Sequence, residues 1–125
     1  MNIDAYSIFM DNAKMHKTAL DGILKSAGIT TVVVVGIAYD FCVAWTATDA
    51  VDLGYNAVII SDAAAPIGVP NGDGTTSIDT AEADFAAKGV EVVTMADLAD
   101  DRRLRRRRNR SRKLEQEKGR VYKLW

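Results

Sequence analysis

The sequence predicts an α/β fold built on a parallel sheet, and three observations support this prediction. Residues 32–35 are four consecutive valines, a run without polar alternation that suits a strand covered by helices on both faces. Shorter apolar runs follow at residues 56–61 and 90–94. The segments between these runs have helical length, and alternation of strands and helices is typical of parallel sheets. We therefore expect about three parallel strands in a partial three-layer α/β/α arrangement.

A first helix is predicted ahead of the valine run, with Asp11 or Asn12 as its cap and Gly28 just beyond its end. Apolar side chains recur there at helical spacing. They are Met15, Ala19, Leu20, Ile23, Leu24 and Ala27. His16 is expected on the polar side of this helix as a solvated side chain.

The later elements are bounded by residues that commonly start or end helices. Both prolines and several glycines fall close to residues 67–76, which predicts a surface loop. Thr76 or Ser77 is expected to cap a helix that Gly89 ends. A strand at residues 90–94 and a short turn at residues 96–99 complete the predicted fold.

The stretch at residues 30–54 contains the only cysteine of the chain. Gly36 is expected to end the valine strand, Asp40 to cap the next helix and Gly54 to close it. Cys42 would then lie at a helix N-terminus, where free N–H groups and the helix dipole favour the reactive thiolate. Buried free cysteines also pack as small apolar side chains, so the residues alone leave a structural role open.

Length and composition bound the class of protein. The chain has 125 residues, enough for one small domain, and its sequence contains neither a long apolar run nor a signal segment. A single cysteine allows no internal disulfide, so a cytoplasmic location is expected. With one histidine and one cysteine, no cluster of metal ligands is visible.

The charge divides the chain into two parts. Residues 101–125 hold twelve Lys and Arg against three acidic residues, whereas the first hundred hold four against fourteen. Residues 100–125 are therefore expected to be a disordered or solvated helical tail. Clustered arginines suggest nucleic-acid binding through residues 101–125, with a nuclear location, but a non-native tail is the favoured interpretation because no aromatic residues interleave with the arginines.

Two segments resemble one enzyme family. GIAYDFCVAWTATDAVDLGY at residues 36–55 is similar to the nucleophile segment of the isochorismatase-like cysteine hydrolases, and DAYSIFMDN at residues 4–12 is similar to a segment of its nicotinamidase branch. The segments occur in the family's order and at about its spacing, and the resemblance covers residues 3–98. It implies a Rossmann-like, isochorismatase-like sheet, with residues 1–99 forming the C-terminal half of the domain.

The resemblance also implies roles for individual residues. Cys42 would be the nucleophile that converts nicotinamide to nicotinate and ammonia through a thioester. The backbone N–H groups of Ala38 and Cys42 would form the oxyanion hole, and the peptide bond between Ile37 and Ala38 would be cis. Tyr6 matches a position that lines the family's substrate pocket. Tyr39 stands where the family has threonine or another small residue, and we expect it beside the substrate.

Several family residues have no counterpart in this sequence. They are the catalytic Asp, the Lys and the ligands of a divalent metal, often zinc, so the expectation is that this chain holds no metal and has little activity alone. The valine strand would become an exposed edge that promotes homo-oligomerisation. An isochorismatase or ureido-group hydrolase is the alternative enzyme. A non-catalytic pseudoenzyme or a protein that binds RNA through its tail is the alternative outside catalysis.

Overall fold

The structure is a computed structural model that describes residues 4–100. Its elements are α1 (Leu20–Ser26), β1 (Thr31–Ile37), a π-helical turn (Tyr39–Val43) that continues into α2 (Ala44–Asp52), β2 (Asn56–Ala65), α3 (Ser77–Lys88), β3 (Glu91–Val93) and α4 (Met95–Ala99). The strands form one parallel sheet in the order β1–β2–β3. The predicted α/β fold with three parallel strands is confirmed, whereas the predictions for residues 101–125 lie outside the described part.

Strand β1 is buried on both faces, as its valine run predicts. Val32 belongs to the larger cluster of buried residues, which includes side chains of α1, α2 and α3. The next residue, Val33, belongs to a second cluster against which Leu98 of α4 packs. Successive side chains of a strand point to opposite faces, so helices cover the sheet on both sides.

The end of β1 is irregular. The strands pair in step from Thr31 with Asn56 to Val34 with Ile59, and the register then shifts so that Gly36 pairs with Ala64. Gly36 has a φ of 123°, a conformation that side chains rarely tolerate. The strand continues to Ile37 and therefore leads directly into the turn that carries the cysteine.

The first helix is shorter than predicted, since α1 spans Leu20–Ser26 only. The Asp11 carboxylate accepts the backbone N–H groups of Met15 and His16 and closes a turn there instead. Side-chain hydrogen bonds of this kind compete with helix formation. Met15 is 73% exposed and takes no part in the core. The predicted end is confirmed, because Gly28 follows the last turn with a φ of 72°.

The later boundaries agree more closely with the sequence. Thr76 is the N-cap of α3, and its N–H and hydroxyl both donate to the carboxylate of Asp79. Gly89 ends α3 in the left-handed conformation, as predicted. The turn expected at residues 96–99 is the helix α4, which the side chain of Thr94 caps. Strand β2 is longer than predicted and reaches Ala65.

Strand β1 lies at the edge of the sheet. Within residues 4–100 it pairs with β2 alone, so its other edge carries no neighbouring strand. No helix in this described range is long and apolar enough to cross a membrane.

Candidate functional site

A groove of about 430 Å³ runs along the free edge of β1 and contains the candidate nucleophile. Cys42 is a free, half-buried thiol at its wall, and Tyr6 lines the same groove. The other lining residues are Ile8, Phe9, Leu20, Val32, Val33, Val34, Val35, Gly36, Ile37, Val43 and Thr46. Two of the predicted site residues, Cys42 and Tyr6, are therefore brought together on an apolar surface.

The turn between β1 and α2 sets the position of Cys42. The peptide bond between Ile37 and Ala38 is cis, as the resemblance implies. The carbonyl of Ala38 then accepts the N–H groups of Phe41 and Val43, at 3.1 and 3.0 Å, which closes the π-helical turn. Cys42 lies in this turn, directly ahead of α2.

Ala38 is buried at the start of this turn and does not line the groove. The predicted role of Ala38 in an oxyanion hole depends on its backbone N–H group and not on where its side chain lies. The oxyanion-hole role of Ala38 therefore stays a prediction.

Asp40 does not cap the helix as predicted. The N-cap of the π-helical turn is Ala38. Asp40 lies inside the turn and is only 5% exposed. It accepts the N–H groups of Ile67 and Gly68 at 2.9 and 2.8 Å and the hydroxyl of Ser77 at 2.5 Å. Burial raises the pKa of Asp40, but the hydrogen bonds outweigh burial and hold that pKa below its ordinary value. The carboxylate thus ties the Cys42 turn to the loop after β2.

Tyr39 also differs from the prediction, because its side chain does not line the groove beside Cys42. It is 6% exposed and packs edge-on against Phe85, with ring centroids 5.6 Å apart. Its hydroxyl donates to Glu82 at 3.3 Å. Burial raises the pKa of Tyr39 above its ordinary value, and the neighbouring Glu82 carboxylate raises it further. In this chain the bulky residue fills space against α3 and does not line the Cys42 groove.

Tyr6 lies at the rim of the groove with 43% of its surface exposed. Its ring contacts Phe41 and Trp45, with centroid separations of 5.8 and 5.5 Å. Its backbone N–H donates to the side-chain oxygen of Asn12 at 2.9 Å. The segment before α1 is thereby fastened onto the helix that follows Cys42. Trp45 is partly buried and packs against the core.

Thr46 is a lining residue that the sequence reasoning missed. Its hydroxyl oxygen accepts the N–H of Ile8 at 3.2 Å. Thr46 follows Cys42 by four positions, and residues four apart lie on the same face of a helix. That spacing is the signal in the sequence that could have identified it.

The groove is chemically simple. Among residues 4–100, its lining includes no carboxylate, imidazole or ammonium group. Asp11 is not among the lining residues, and its buried carboxylate accepts the N–H groups of Met15 and His16 and lies 3.0 Å from the imidazole of His16. Across the same range, no three His, Cys, Asp or Glu side chains converge in a way that could hold a metal ion. The described site thus offers a thiol without a proton acceptor beside it.

The fold and this groove define a class of protein, a parallel α/β domain that presents a cysteine where a strand passes into a helix. The comparisons with known proteins agree with that class. The sequence model of the Isochorismatase domain family matches residues 4–97. The chain belongs to this family.

Individual relatives point to one branch of the family. A nicotinamidase of Acinetobacter baylyi is 45% identical over 93 residues, which are 74% of this chain and 41% of that protein. A solved nicotinamidase/pyrazinamidase of Acinetobacter baumanii is 46% identical, with a TM-score of 0.70 over 77% of this chain and 44% of the other. The L. infantum protein PnC1, solved in complex with nicotinate, is 33% identical, with a TM-score of 0.65 over 76% of this chain and 44% of the other. This chain therefore spans less than half the length of these relatives.

Proposed function

We propose that this chain is the nucleophile-bearing part of a nicotinamidase, an enzyme that hydrolyses nicotinamide to nicotinate and ammonia. The observation that carries the proposal is the position of Cys42 on the wall of a groove, in the turn that follows the cis peptide bond. The relatedness to the Acinetobacter nicotinamidases selects the amide substrate. The nicotinate complex of the L. infantum protein is consistent with a pyridine carboxylate as the product.

The proposed reaction has two stages. The thiolate of Cys42 attacks the carboxamide carbon, and the C–N bond breaks as the nitrogen takes up a proton and leaves as ammonia. The resulting thioester is then attacked by water, which releases the carboxylate and regenerates the thiol. The N–H groups of Ala38 and Cys42 would stabilise the oxyanion in both stages. Tyr6, at the rim, would contact the pyridine ring.

A proton acceptor must come from outside the described groove. The thiol has to lose its proton before the attack and the amide nitrogen has to gain one, yet the lining residues among 4–100 offer neither a carboxylate nor an imidazole. We therefore expect little turnover by this chain alone. The same residues do not fit the divalent metal that the family resemblance implies, so no step is assigned to a metal ion.

A chimera tests the function directly. The part of the Acinetobacter baylyi nicotinamidase that precedes its matched segment would be joined ahead of residue 4, and ammonia release from nicotinamide would be measured. We expect turnover by the chimera, and a loss of about 10³-fold or more with Cys42→Ala. A Thr48→Ala chimera, altered on the same helix outside the groove, is the matched control. Undiminished ammonia release with Cys42→Ala would contradict the assignment.

The same chimera separates the alternative functions. Faster turnover of isochorismate or of a ureido substrate than of nicotinamide would favour the other enzyme classes. A folded chimera that releases no ammonia and whose Cys42 is not acylated would favour a pseudoenzyme. Binding of RNA through residues 101–125 and a nuclear location depend on a segment outside the described residues. We keep the cytoplasmic location as part of the proposal.

The free edge of β1 supports a further part of the proposal. An apolar strand without a partner on one side favours association, and within the described residues Ile37 at its end is 77% exposed. We expect the chain to form homo-oligomers through this edge when the edge is not otherwise covered. A light-scattering mass equal to that of one chain at all concentrations would contradict this expectation.

A further inference from the structure

Residues 4–18, here called the strap, form one wall of the Cys42 groove. Three of their side chains line it, those of Tyr6, Ile8 and Phe9. No helix or strand lies within residues 4–18, since the first element of the described chain begins at Leu20. The position of this wall therefore depends on individual contacts between the strap and the elements behind it.

Hydrogen bonds inside the strap join Tyr6 to the turn that contains Lys14. The backbone N–H of Tyr6 donates to the side-chain oxygen of Asn12 at 2.9 Å. The N–H of Asn12 donates to the carbonyl of Asp4 at 3.0 Å, and the N–H of Lys14 donates to the carbonyl of Asp11 at 3.1 Å. A contact that fixes Lys14 therefore also restrains the part of the strap that presents Tyr6.

Lys14 is bonded to a buried carboxylate of α2. Its ammonium group donates to Oδ1 of Asp49, which is only 2% exposed, whereas the Lys14 side chain is 45% exposed. The Oδ2 atom of Asp49 has no hydrogen-bond partner within the described residues, so Lys14 compensates this buried charge. Lys14 also has a φ of 57°, an unfavourable conformation for a residue with a side chain, which persists where surrounding contacts hold it.

The indole ring of Trp45 in α2 contacts both Lys14 and Tyr6. The Lys14 ammonium lies 5.4 Å from the centroid of this ring, a cation–π contact. The Tyr6 ring meets the same indole edge-on, with centroids 5.5 Å apart. Contacts therefore run without a break from the buried carboxylate of Asp49, through Lys14 and Trp45, to the rim of the Cys42 groove.

We propose that the ion pair of Lys14 and Asp49 is a latch that holds Tyr6 against Trp45 and thereby places the Tyr6 ring to receive the pyridine ring of the substrate. The proposal rests on the nicotinamidase function proposed above. Lys14 does not line the Cys42 groove. It is a positioning residue that acts through Tyr6.

Alkylation of the full-length chain tests the latch, because Cys42 is its only thiol. One reagent, 3-(bromoacetyl)pyridine, has a pyridine ring beside its reactive carbon, and the other, bromoacetone, has none. The Cys42 thiolate displaces bromide from either reagent. Mass spectrometry would give both rate constants, each divided by the rate constant of N-acetylcysteine with the same reagent. The ratio of the two corrected values is the ring selectivity, and it is independent of the thiolate fraction because both reagents need the same thiolate.

We expect a ring selectivity of about fivefold or more in the wild type, the worth of one aromatic contact. Tyr6→Ala should lower it to about one, since the contact itself is lost. Lys14→Met, which keeps an unbranched side chain and removes the ammonium group, should do the same. Lys14→Arg keeps the positive charge and should keep the selectivity.

Lys25→Met is the matched control. Lys25 also combines an ion pair with a cation–π contact, at 3.0 Å from Asp21 and 5.6 Å from the centroid of the Tyr55 ring. It lies on α1 and does not line the Cys42 groove. Its loss should leave the ring selectivity at the wild-type value.

A double variant separates the latch from the stability of the fold. Lys14→Met leaves the Asp49 charge buried and unpaired, which by itself destabilises the chain. Lys14→Met combined with Asp49→Asn removes the charge and the latch together. Its urea unfolding should lie closer to that of the wild type, and its ring selectivity should stay at about one. This variant gives the decisive measurement if Lys14→Met alone fails to fold.

Three results would overturn the proposal. They are a wild type without ring selectivity, a double variant that keeps the wild-type selectivity, and a Lys25→Met variant that loses as much selectivity as Lys14→Met. Failure of the proposed function looks different, because it is read from ammonia release by the chimera. A chimera with Cys42-dependent ammonia release and a chain without ring selectivity would refute the latch alone. Selectivity that depends on Lys14 in a chain whose chimera releases no ammonia would refute the nicotinamidase assignment alone.

Discussion

The helical segment at residues 39–52 has two sides that differ in how completely they are packed. On the side of α3, Tyr39 and Asp40 are 6% and 5% exposed, and each has its polar group bonded by a neighbouring element. On the side of the β1 edge, Cys42 is half-buried and faces an open groove without charged partners among the described residues. The difference shows that this segment is held through contacts on its α3 side, whereas the side that carries Cys42 is left open.

This division separates stability from chemistry. Substitutions on the packed side should change the free energy of unfolding, because they disturb buried contacts. Substitutions on the open side should change reactivity at Cys42 and leave the free energy of unfolding nearly unchanged.

Phe85→Ala on the packed side should destabilise the fold by about 3–5 kcal/mol, because truncation of a buried aromatic ring leaves a cavity. Phe85 is 3% exposed and packs against Tyr39. Ile37→Ala, beside the groove, is the control and should change stability by less than about 0.5 kcal/mol, since Ile37 is 77% exposed. Urea unfolding measures both, and equal losses would contradict the division into two sides.

Asp40→Asn should cost about 2–3 kcal/mol, because an amide cannot accept all three hydrogen bonds of the carboxylate and places a donor against them. Ser77→Ala, which removes one of the three donors, should cost about 1 kcal/mol. Urea unfolding at neutral pH would measure both. If the Asp40→Asn variant had the same free energy of unfolding as the wild type, the link between the Cys42 turn and the loop after β2 would be unimportant for stability.

The Asp40 contribution should also depend on pH. Hydrogen bonds hold the pKa of Asp40 below its ordinary value of 3.8. A carboxylate with a lowered pKa stabilises the fold fully above the unfolded value and loses this effect as the pH falls through the folded value. The difference in stability between wild type and Asp40→Asn should therefore be constant above pH 3.8 and shrink below it. A difference that grows on acidification would refute this assignment.

The sequence predicts the fold better than it predicts the roles of single polar residues. The valine run identified β1, and glycines 28, 54 and 89 each marked a helix end, because these signals depend on local conformation. Asp40 was assigned to a cap, since a carboxylate ahead of a helix usually has that role. Its actual donors come from residues 67, 68 and 77, and no local pattern shows which distant N–H groups a side chain will meet.

The candidate site shows the same limit. Cys42 and Tyr6 were located from motifs, and the structure places both on one groove. Tyr39 was expected beside the substrate because it lies in the tight turn beside Cys42, but the π-helical turn directs its ring toward α3. Chain adjacency fixes where a backbone goes, whereas the side that a ring faces depends on the neighbouring helix.

The smallest expected effect concerns the Tyr39 hydroxyl. Tyr39→Phe keeps the ring against Phe85 and removes only the hydrogen bond to Glu82, so the free energy of unfolding should fall by about 0.5–1 kcal/mol. Tyr6→Phe makes the same chemical change on the open side, where the ring is 43% exposed, and should be neutral within about 0.5 kcal/mol. Parallel thermal unfolding of the two variants would compare them. A larger loss of stability for Tyr6→Phe than for Tyr39→Phe would contradict the division into two sides. It would mean that the Tyr6 hydroxyl, on the open side, contributes more to stability than the Tyr39 hydroxyl on the packed side.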